Sequence, residues 1–565
     1  MDIDINKYFP TTNSITSPRE LKRLSGDIIT QADVVSDIIN EIVNNGKTDI
    51  TLCAPVGTGK SIMGLWAALA LSDILQKTAV YTSPLNTLVD QMEDNFGGQY
   101  VKTIKGREYE KCLSGAQNCS VGYCKQRKCS ITKTVPRECG ECTERECPCR
   151  NCIYTEKLRA FKRAKIGNTN FSIFMIGLSD AEIVIIDECD EVESFVRMNS
   201  SITIQENITS KQYSRHMERL EGIRDEAIAD IELHDDNITP LEVKELIKRE
   251  RAVNSIQSIL SDYEKRKAWC VSNNKGGTTY QPIDVSKYLD SKLSDKIVIR
   301  MSATPYKLES SHVIEVDSTY PVKNRPWIHV PIGKMGRQYR GNTFDKIALF
   351  LNRLDGKTVV HCHSYAIADS IKESLNKIRC SKSLYLQVGS VYMDGYTRRD
   401  IISAFKASHD ENSIMLSVNL IRGVDFPEDE ICNNVIVKQP WLNPTDELVK
   451  AKNGLLRTTN WQNAEIANTI MQAYGRLPRR AEKKSICYIL DTDFNDDAGR
   501  GITKNWFDGH KELFYNWFIE AEGNYVGFCE RCGKLKDYIS YVKYENYKGM
   551  VCTNCNLELN KMNRK

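Results

Sequence analysis

Short, wholly apolar runs and longer amphipathic ones take turns along this chain. Asp49 to Cys53 is apolar and β-branched, passes into Ala54-Pro55-Val56-Gly57-Thr58-Gly59-Lys60-Ser61, and continues as an Ala-rich stretch (IMGLWAALALSDIL) of helical periodicity. The pattern predicts strand, glycine loop, helix. Thr78 to Thr82 and Ile183 to Ile186 are apolar runs of the kind buried in a parallel sheet with helices on both faces. Sheet-like sequence returns at Lys296 to Met301. After a linker around Pro321 to Pro326, a second α/β pattern runs from about Phe344 to Asp493. Its strands are expected near Thr358 to Cys362, Ile414 to Val418, Asn434 to Lys438 and Ile486 to Leu490. From about Phe195 to Val285 the pattern is instead one of long charged helices. One is expected from about Thr209 to Leu233, and its antiparallel partner opens at Thr239-Pro240-Leu241-Glu242, where Thr239 caps and Glu242 completes a capping box. That partner is expected to reach about Trp269.

Composition narrows the class. With 565 residues, 41% of them hydrophobic, the chain is globular and large enough for several domains. It has no apolar run of about 18 residues, and the start MDIDINKYFP lacks a basic, apolar leader. A soluble intracellular protein is expected, cytoplasmic or nucleoid-associated, neither secreted nor in a membrane. The net charge of +3, from 77 Lys/Arg against 74 Asp/Glu, excludes a polycation. Residues 102–165 nevertheless hold 16 Lys/Arg against 7 Asp/Glu, so a surface facing a polyanion is expected there.

Cysteine changes the picture most. Of 20, nine lie between Cys112 and Cys152 and four between Cys529 and Cys555. In a reducing compartment such clusters favour metal ligation over disulfides. Cys529-x-x-Cys532, nineteen residues, then Cys552-x-x-Cys555 is the spacing of a zinc ribbon, with the intervening YISYVKYENYKG read as a β-hairpin. Its interleaved Tyr and Lys suit stacking on bases and contact with phosphates.

The glycine loop carries the clearest chemistry. Gly57, Thr58, Gly59, Lys60 and Ser61 end the phosphate-loop pattern, with Ala54 in the place of its first glycine. Backbone N–H groups at a helix N-terminus surround phosphates, Lys60 neutralises β/γ charge, and the Ser61 hydroxyl ligates Mg²⁺. Asp187, at the end of a neighbouring buried strand, is expected to hold that Mg²⁺ through water, and Glu188 to orient or deprotonate the attacking water. Gln472, Arg476 and Arg479, within QAYGRLPR, are placed to meet the nucleotide from a second domain.

The order of these motifs resembles that of superfamily 2 helicases, specifically the iron-sulfur branch typified by xeroderma pigmentosum D helicase and bacterial DinG, from about residue 30 to 495. Thr82 to Gln91 is similar to motif Ia, Ser302-Ala303-Thr304 to motif III, and His363-Ser364-Tyr365 to motif IV. Arg422-Gly423-Val424-Asp425-Phe426-Pro427 resembles motif V, with Arg422 replacing a glutamate; Gly423 and Asp425 are its nucleotide-side candidates. Asp491-Thr492-Asp493-Phe494 is similar to the closing D-x-R-F, with Asp493 replacing the arginine. Gln31 stands where the family reads adenine, although the arginine expected three residues earlier is Ile28.

Gly106-Arg107-Glu108-Tyr109-Glu110-Lys111-Cys112 resembles the family's approach to its iron-sulfur domain, and Cys152-Ile153-Tyr154 its exit. The resemblance implies a 4Fe-4S cluster on Cys112, Cys152 and a middle pair, which Cys139/Cys142, Cys142/Cys147 and Cys119/Cys124 all leave open. It implies two RecA-like α/β domains: the first from 1–100, 166–194 and 286–325, with a cysteine-rich insertion at 101–165 and a helical arch at 195–285, the second at 326–500. A zinc-ribbon extension at 501–565 follows. The implied activity is ATP-dependent unwinding by a monomer moving 5'-to-3' on single-stranded or forked DNA, in repair or replication. An RNA helicase, a translocase that does not unwind, and a zinc-dependent nucleic-acid-binding factor with a vestigial ATP site are the alternatives.

Overall fold

A computed structural model of the chain describes residues 4–12, 15–55, 57–111, 152–205, 207–208, 213–232, 253, 256–257, 269–274, 276–303, 311–319, 327–335, 343–387, 398–418, 432–456, 460–474, 485–492, 525–528, 535–544 and 547–563. Continuous apolar runs become buried parallel strands, as their lack of alternation requires. The first sheet has nine strands. In spatial order they are Ile28–Thr30, Glu20–Arg23, His312–Ser318, Asp49–Cys53, Ile297–Ser302, Ile183–Asp187, Ala79–Ser83, Ile166–Asn170 and Lys102–Ile104. All its pairings are parallel except the two made by Glu20–Arg23.

Asp49–Cys53 and Ile183–Asp187 are not direct neighbours, contrary to the sequence expectation. Ile297–Ser302 lies between them, pairing Ser302 with Cys53 and Met301 with Asp187. Strand order is set by crossovers that no local pattern encodes. The helix Lys60–Ile74 packs its Met63, Leu65, Trp66 and Ala67 into the core of this sheet.

The chain to either side of 112–151, assigned from sequence to the cysteine-rich unit, is built into this domain. Lys102–Ile104 is its edge strand, and the helix Ile153–Arg163 buries Tyr154, Leu158 and Phe161 against Ile104 and Val184. Within 195–285, the helix Tyr213–Glu232 matches expectation, but three strands were not foreseen. Ile202–Ile204, Gly277–Pro282 and Trp269–Asn274 form an antiparallel sheet that packs Trp269 and Tyr280 with Met217 and Leu220. Trp269 therefore opens a strand rather than closing a helix; its alternating neighbours are too few to outweigh the charged pattern around them. The helix start at Thr239 and the linker at Pro321 to Pro326 lie outside the described residues.

The second sheet is six-stranded and wholly parallel: Trp327–Gly333, Ile486–Asp491, Asn433–Ile436, Thr358–His361, Ile414–Ser417 and Leu384–Gln387. Helices Thr343–Arg353 and Tyr365–Lys377 bury Ile347, Phe350, Leu351, Ile367 and Ile371 on it. Tyr525–Phe528, Leu535–Tyr544 and Tyr547–Cys552 make a small antiparallel sheet, followed by the helix Thr553–Asn563. The expected hairpin is its second and third strands. No described helix is long and apolar enough to cross a membrane.

Candidate nucleotide site and its surroundings

Two glycines shape the loop between Asp49–Cys53 and Lys60–Ile74. Gly57 has φ 87° and Gly59 φ 80°, left-handed conformations that L side chains rarely adopt. A Cβ on Gly59 would also lie 2.3 Å from Gln31 Nε2. The loop is thereby free to turn its N–H groups toward an anion at the start of the helix. The Lys60 ammonium is buried and donates to the carbonyls of Ala54 at 3.1 Å and Pro55 at 3.4 Å. Thr58 donates its hydroxyl to the Pro55 carbonyl at 2.7 Å.

Gln31 is fully buried beneath this loop. Its Nε2 donates to the Thr58 carbonyl at 2.8 Å, and its Oε1 accepts from Arg19 N at 3.0 Å. The residue expected to read adenine is thus engaged at both ends of its amide, by the phosphate loop at Nε2 and by Arg19 at Oε1.

Asp187 is gripped by three donors. Ser61 Oγ reaches its Oδ2 at 3.1 Å, Tyr81 Oη the same oxygen at 2.6 Å, and Glu188 N its Oδ1 at 3.0 Å. Glu188 sits at φ 48°, a strained position for a residue with a side chain, of the kind that functional sites retain. Burial and the adjoining Asp187 carboxylate push the Tyr81 phenol well above its usual range, so it remains a donor. Ser302 Oγ donates to Asp190 Oδ1 at 2.7 Å, and Ala54 N donates to the Ser302 carbonyl at 3.2 Å. The strand between the loop and Asp187 therefore touches both. Burial, then Asp190, raises the Cys189 thiol, which leaves it an uncharged neighbour.

Sequence reasoning missed Tyr81. The available signal was a tyrosine inside a buried strand, whose hydroxyl must find a partner. A serine or threonine hydroxyl with a carboxylate is a hard-oxygen donor set, and Ser61 with Asp187 fits Mg²⁺ on that chemistry.

In the second domain, Gln472 is buried in the helix Asn460–Tyr474, and its Nε2 has no hydrogen-bond partner among the described residues. Asn434 donates to the carbonyl of Ala473, next to it, and pairs with His361 Nε2 at 2.7 Å. Ser364 caps the helix Tyr365–Lys377 after His363, which stands at φ 62°. Arg476, Arg479, Gly423 and Asp425 lie outside the described residues.

Of the metal candidates, Cys112, Cys139, Cys142, Cys147, Cys529 and Cys532 also lie outside the described residues. Cys152 is buried at the start of Ile153–Arg163. The two chain segments flanking the cysteine-rich stretch are clasped together. The Arg107 guanidinium lies 4.4 Å from the centre of the Tyr154 ring, and Lys157 Nζ is 2.7 Å from the buried Glu110 Oε1. Cys552 ends its strand, and Cys555 is buried in the first turn of the next helix.

One contact joins the segment after Glu188 to the second domain. On the helix Val192–Ser200, Glu193 pairs with Arg197 and, at 2.8 Å, with Lys452 of the helix Glu447–Leu456. Arg197 also donates to the carbonyls of Pro282 at 2.9 Å and Ile283 at 3.0 Å.

Comparison with known proteins agrees with this arrangement. Residues 31–217 match the DEAD/DEAH box helicase family, and residues 347–509 the helicase C-terminal domain. A probable ATP-dependent helicase of Methanocaldococcus jannaschii is 21% identical, over 82% of this chain and 91% of its own length. A solved XPD helicase superposes with a TM-score of 0.55 at 15% identity, covering 84% of this chain and 97% of that one. A second structure, of apo XPD, gives 0.50 at 15% identity, covering 84% and 98%. With helicase matches on both of its RecA-like domains, the chain is an ATP-hydrolysing helicase, and its fold is that of XPD.

Proposed function

We propose that this helicase acts on DNA, moves 5'-to-3' along a single strand, and separates duplexes at a cluster-bearing insertion. The observation that carries the reading is the clasp of Arg107 on Tyr154 and of Lys157 on Glu110. It brings together the two stems of a basic, nine-cysteine segment placed after the motif Ia segment and before Asp187. That is the position and opening at which the XPD/DinG branch carries its iron-sulfur domain. Cys112 and Cys152 adjoin the clasped stems, and thiolates are the donor set such clusters take. Cys139, Cys142 and Cys147 are candidates for the middle ligands. At the C-terminus, Cys529, Cys532, Cys552 and Cys555 would hold Zn²⁺, and the hairpin Leu535–Tyr544 and Tyr547–Cys552 that links the two pairs supports that reading.

At the nucleotide site, the ordered loop 57–61 receives the β- and γ-phosphates. Lys60 leaves the carbonyls of Ala54 and Pro55 for them, an exchange of neutral partners for charged ones that favours binding. Ser61 and Asp187 would hold Mg²⁺, which supplies charge neutralisation at the phosphate oxygens. Glu188 orients the attacking water and accepts its proton. Gln472, Arg476 and Arg479 approach from the second domain, so hydrolysis follows closure of the two sheets. Gly423 and Asp425 are assigned to the same face. Reopening after hydrolysis advances the chain along the strand, and the arch, with its helix Tyr213–Glu232, covers the path.

The test is anaerobic purification with iron, sulfide and zinc quantified, followed by unwinding of 5'-tailed and 3'-tailed duplexes of DNA and of RNA. Iron with sulfide, and unwinding of 5'-tailed DNA, is the expected result. Zinc without iron would refute the cluster, and activity confined to 3' tails or to RNA would refute polarity or substrate.

A further inference from the structure

Tyr81 lies in the middle of the strand Ala79–Ser83, fully buried, opposite Ile185 of the neighbouring strand. Asp187 follows Ile185 by two residues and so stands on the same face of the sheet. The phenol of Tyr81 reaches it there, donating to Oδ2 at 2.6 Å. Ser61 donates to the same oxygen at 3.1 Å, while Glu188 N holds Oδ1 at 3.0 Å. These donors differ in what a metal does to them. To ligate a cation, the Ser61 hydroxyl offers an oxygen lone pair, so its position must serve the ion as well as Asp187. The phenol and the backbone N–H are under no such demand and can keep the carboxylate plane fixed throughout.

We infer that Tyr81 is a positioning residue for the divalent metal of the nucleotide complex: its hydroxyl holds Asp187 at the angle that meets the ion or its water. Partners that orient a metal's ligands typically change its affinity about 10–100-fold when removed. A phenylalanine would fill the same space and leave the Oδ2 side of the carboxylate to Ser61 alone, whose position the ion also sets. The inference rests on Asp187 as the metal-side carboxylate, and is independent of which nucleic acid the helicase acts on.

The experiment titrates Mn²⁺ into the full chain with ADP and follows free Mn²⁺ by electron paramagnetic resonance. Tyr81→Phe is expected to weaken Mn²⁺ binding about 10–100-fold, with ADP affinity in the absence of metal unchanged. In steady-state ATP hydrolysis the half-saturating Mg²⁺ concentration should rise while kcat at saturating Mg²⁺ stays near that of the wild type. Thr169→Val is the structural control, since it removes a buried hydroxyl-to-carbonyl bond of 2.8 Å to Ile104 in the same sheet. It should leave Mn²⁺ affinity unaltered. Wild-type Mn²⁺ affinity in Tyr81→Phe, or an equal loss in Thr169→Val, would overturn the inference. Asp187→Asn separates the two readings. If it loses Mn²⁺ while Tyr81→Phe does not, only the role of Tyr81 fails; if it binds like the wild type, the assignment of Asp187 fails as well.

Discussion

At the strand ends of the first domain, Asp187 gathers Ser61, Tyr81 and Glu188 N. At those of the second, Asp491 accepts from Gln439 N at 3.0 Å, and Asn434 joins His361 to the Ala473 carbonyl. Both are polar networks centred on buried side chains at parallel-paired strands. The first lies against a glycine loop whose hydroxyl and ammonium a ligand can recruit. The second runs from strand to strand and from strand to helix, fixing the helix that carries Gln472. On the proposed reading, parallel strand ends serve chemistry in one domain and alignment in the other. Damage to the first should cost rate, and damage to the second should cost stability.

The largest expected effect is on rate. Glu188→Gln removes the proposed base but not the fold, so kcat for ATP hydrolysis should fall about 10²–10⁴-fold. Nucleotide binding, measured by calorimetry, should persist. A change in KM with kcat intact would move the chemistry away from Glu188. Next comes Asn434→Ala, which removes the donor to the Ala473 carbonyl and the partner of His361 Nε2. Leaving a buried polar group unsatisfied costs about 1–3 kcal/mol, readable by denaturant unfolding. Nucleotide affinity of the loop should be untouched; unchanged stability would break the contrast drawn between the domains.

The smallest effect concerns one contact between the first domain's insertion-side helix Val192–Ser200 and the second domain. The Lys452–Glu193 pair is partly exposed, with side-chain exposures of 14% and 31%, so solvent screening limits it to about 1 kcal/mol. Lys452→Glu should weaken the contact, and adding Glu193→Lys should restore it, as a double-mutant cycle of unfolding would show. Burial acts to raise the Glu193 carboxyl, but Lys452 and Arg197 outweigh it and hold the group below the usual glutamate range. A carboxyl lowered in the folded state stabilises fully above its unfolded value and loses that contribution as pH falls through the folded one. The coupling should therefore be intact at neutral pH and vanish in acid below the ordinary glutamate value. A coupling that grew on acidification would reverse the assignment.

Four adjoining inner strands of each sheet were legible because buried parallel strands are continuous apolar runs, whereas the strands outside them were not foreseen. Asp49–Cys53 begins and ends where the pattern placed it, and Ile183–Asp187, Ile414–Ser417 and Ile486–Asp491 fall within a residue of expectation. The small sheet of Ile202–Ile204, Trp269–Asn274 and Gly277–Pro282 was not legible. Its first strand is three residues long and pairs with chain far away in sequence, inside a region dominated by charged helical pattern. Gln31 shows a different limit. Its position before the loop suggested contact with a base, but only the fold reveals that Thr58 and Arg19 already engage its amide.

Local chemistry was enough to determine the glycine loop, Lys60, Ser61, the carboxylates after Ile186 and the cysteine spacings, because each depends on residues close together in the chain. The partners of those groups depend on strand order. Ile297–Ser302 enters between the loop and Asp187, and Ala79–Ser83 flanks Asp187 on its other side, bringing Tyr81 to it. Crossovers and the close packing of helices on both faces decide which strands become neighbours, and neither leaves a mark on any one segment. Tertiary structure therefore decided how the carboxylate is held, while the sequence alone had already determined that one would be there.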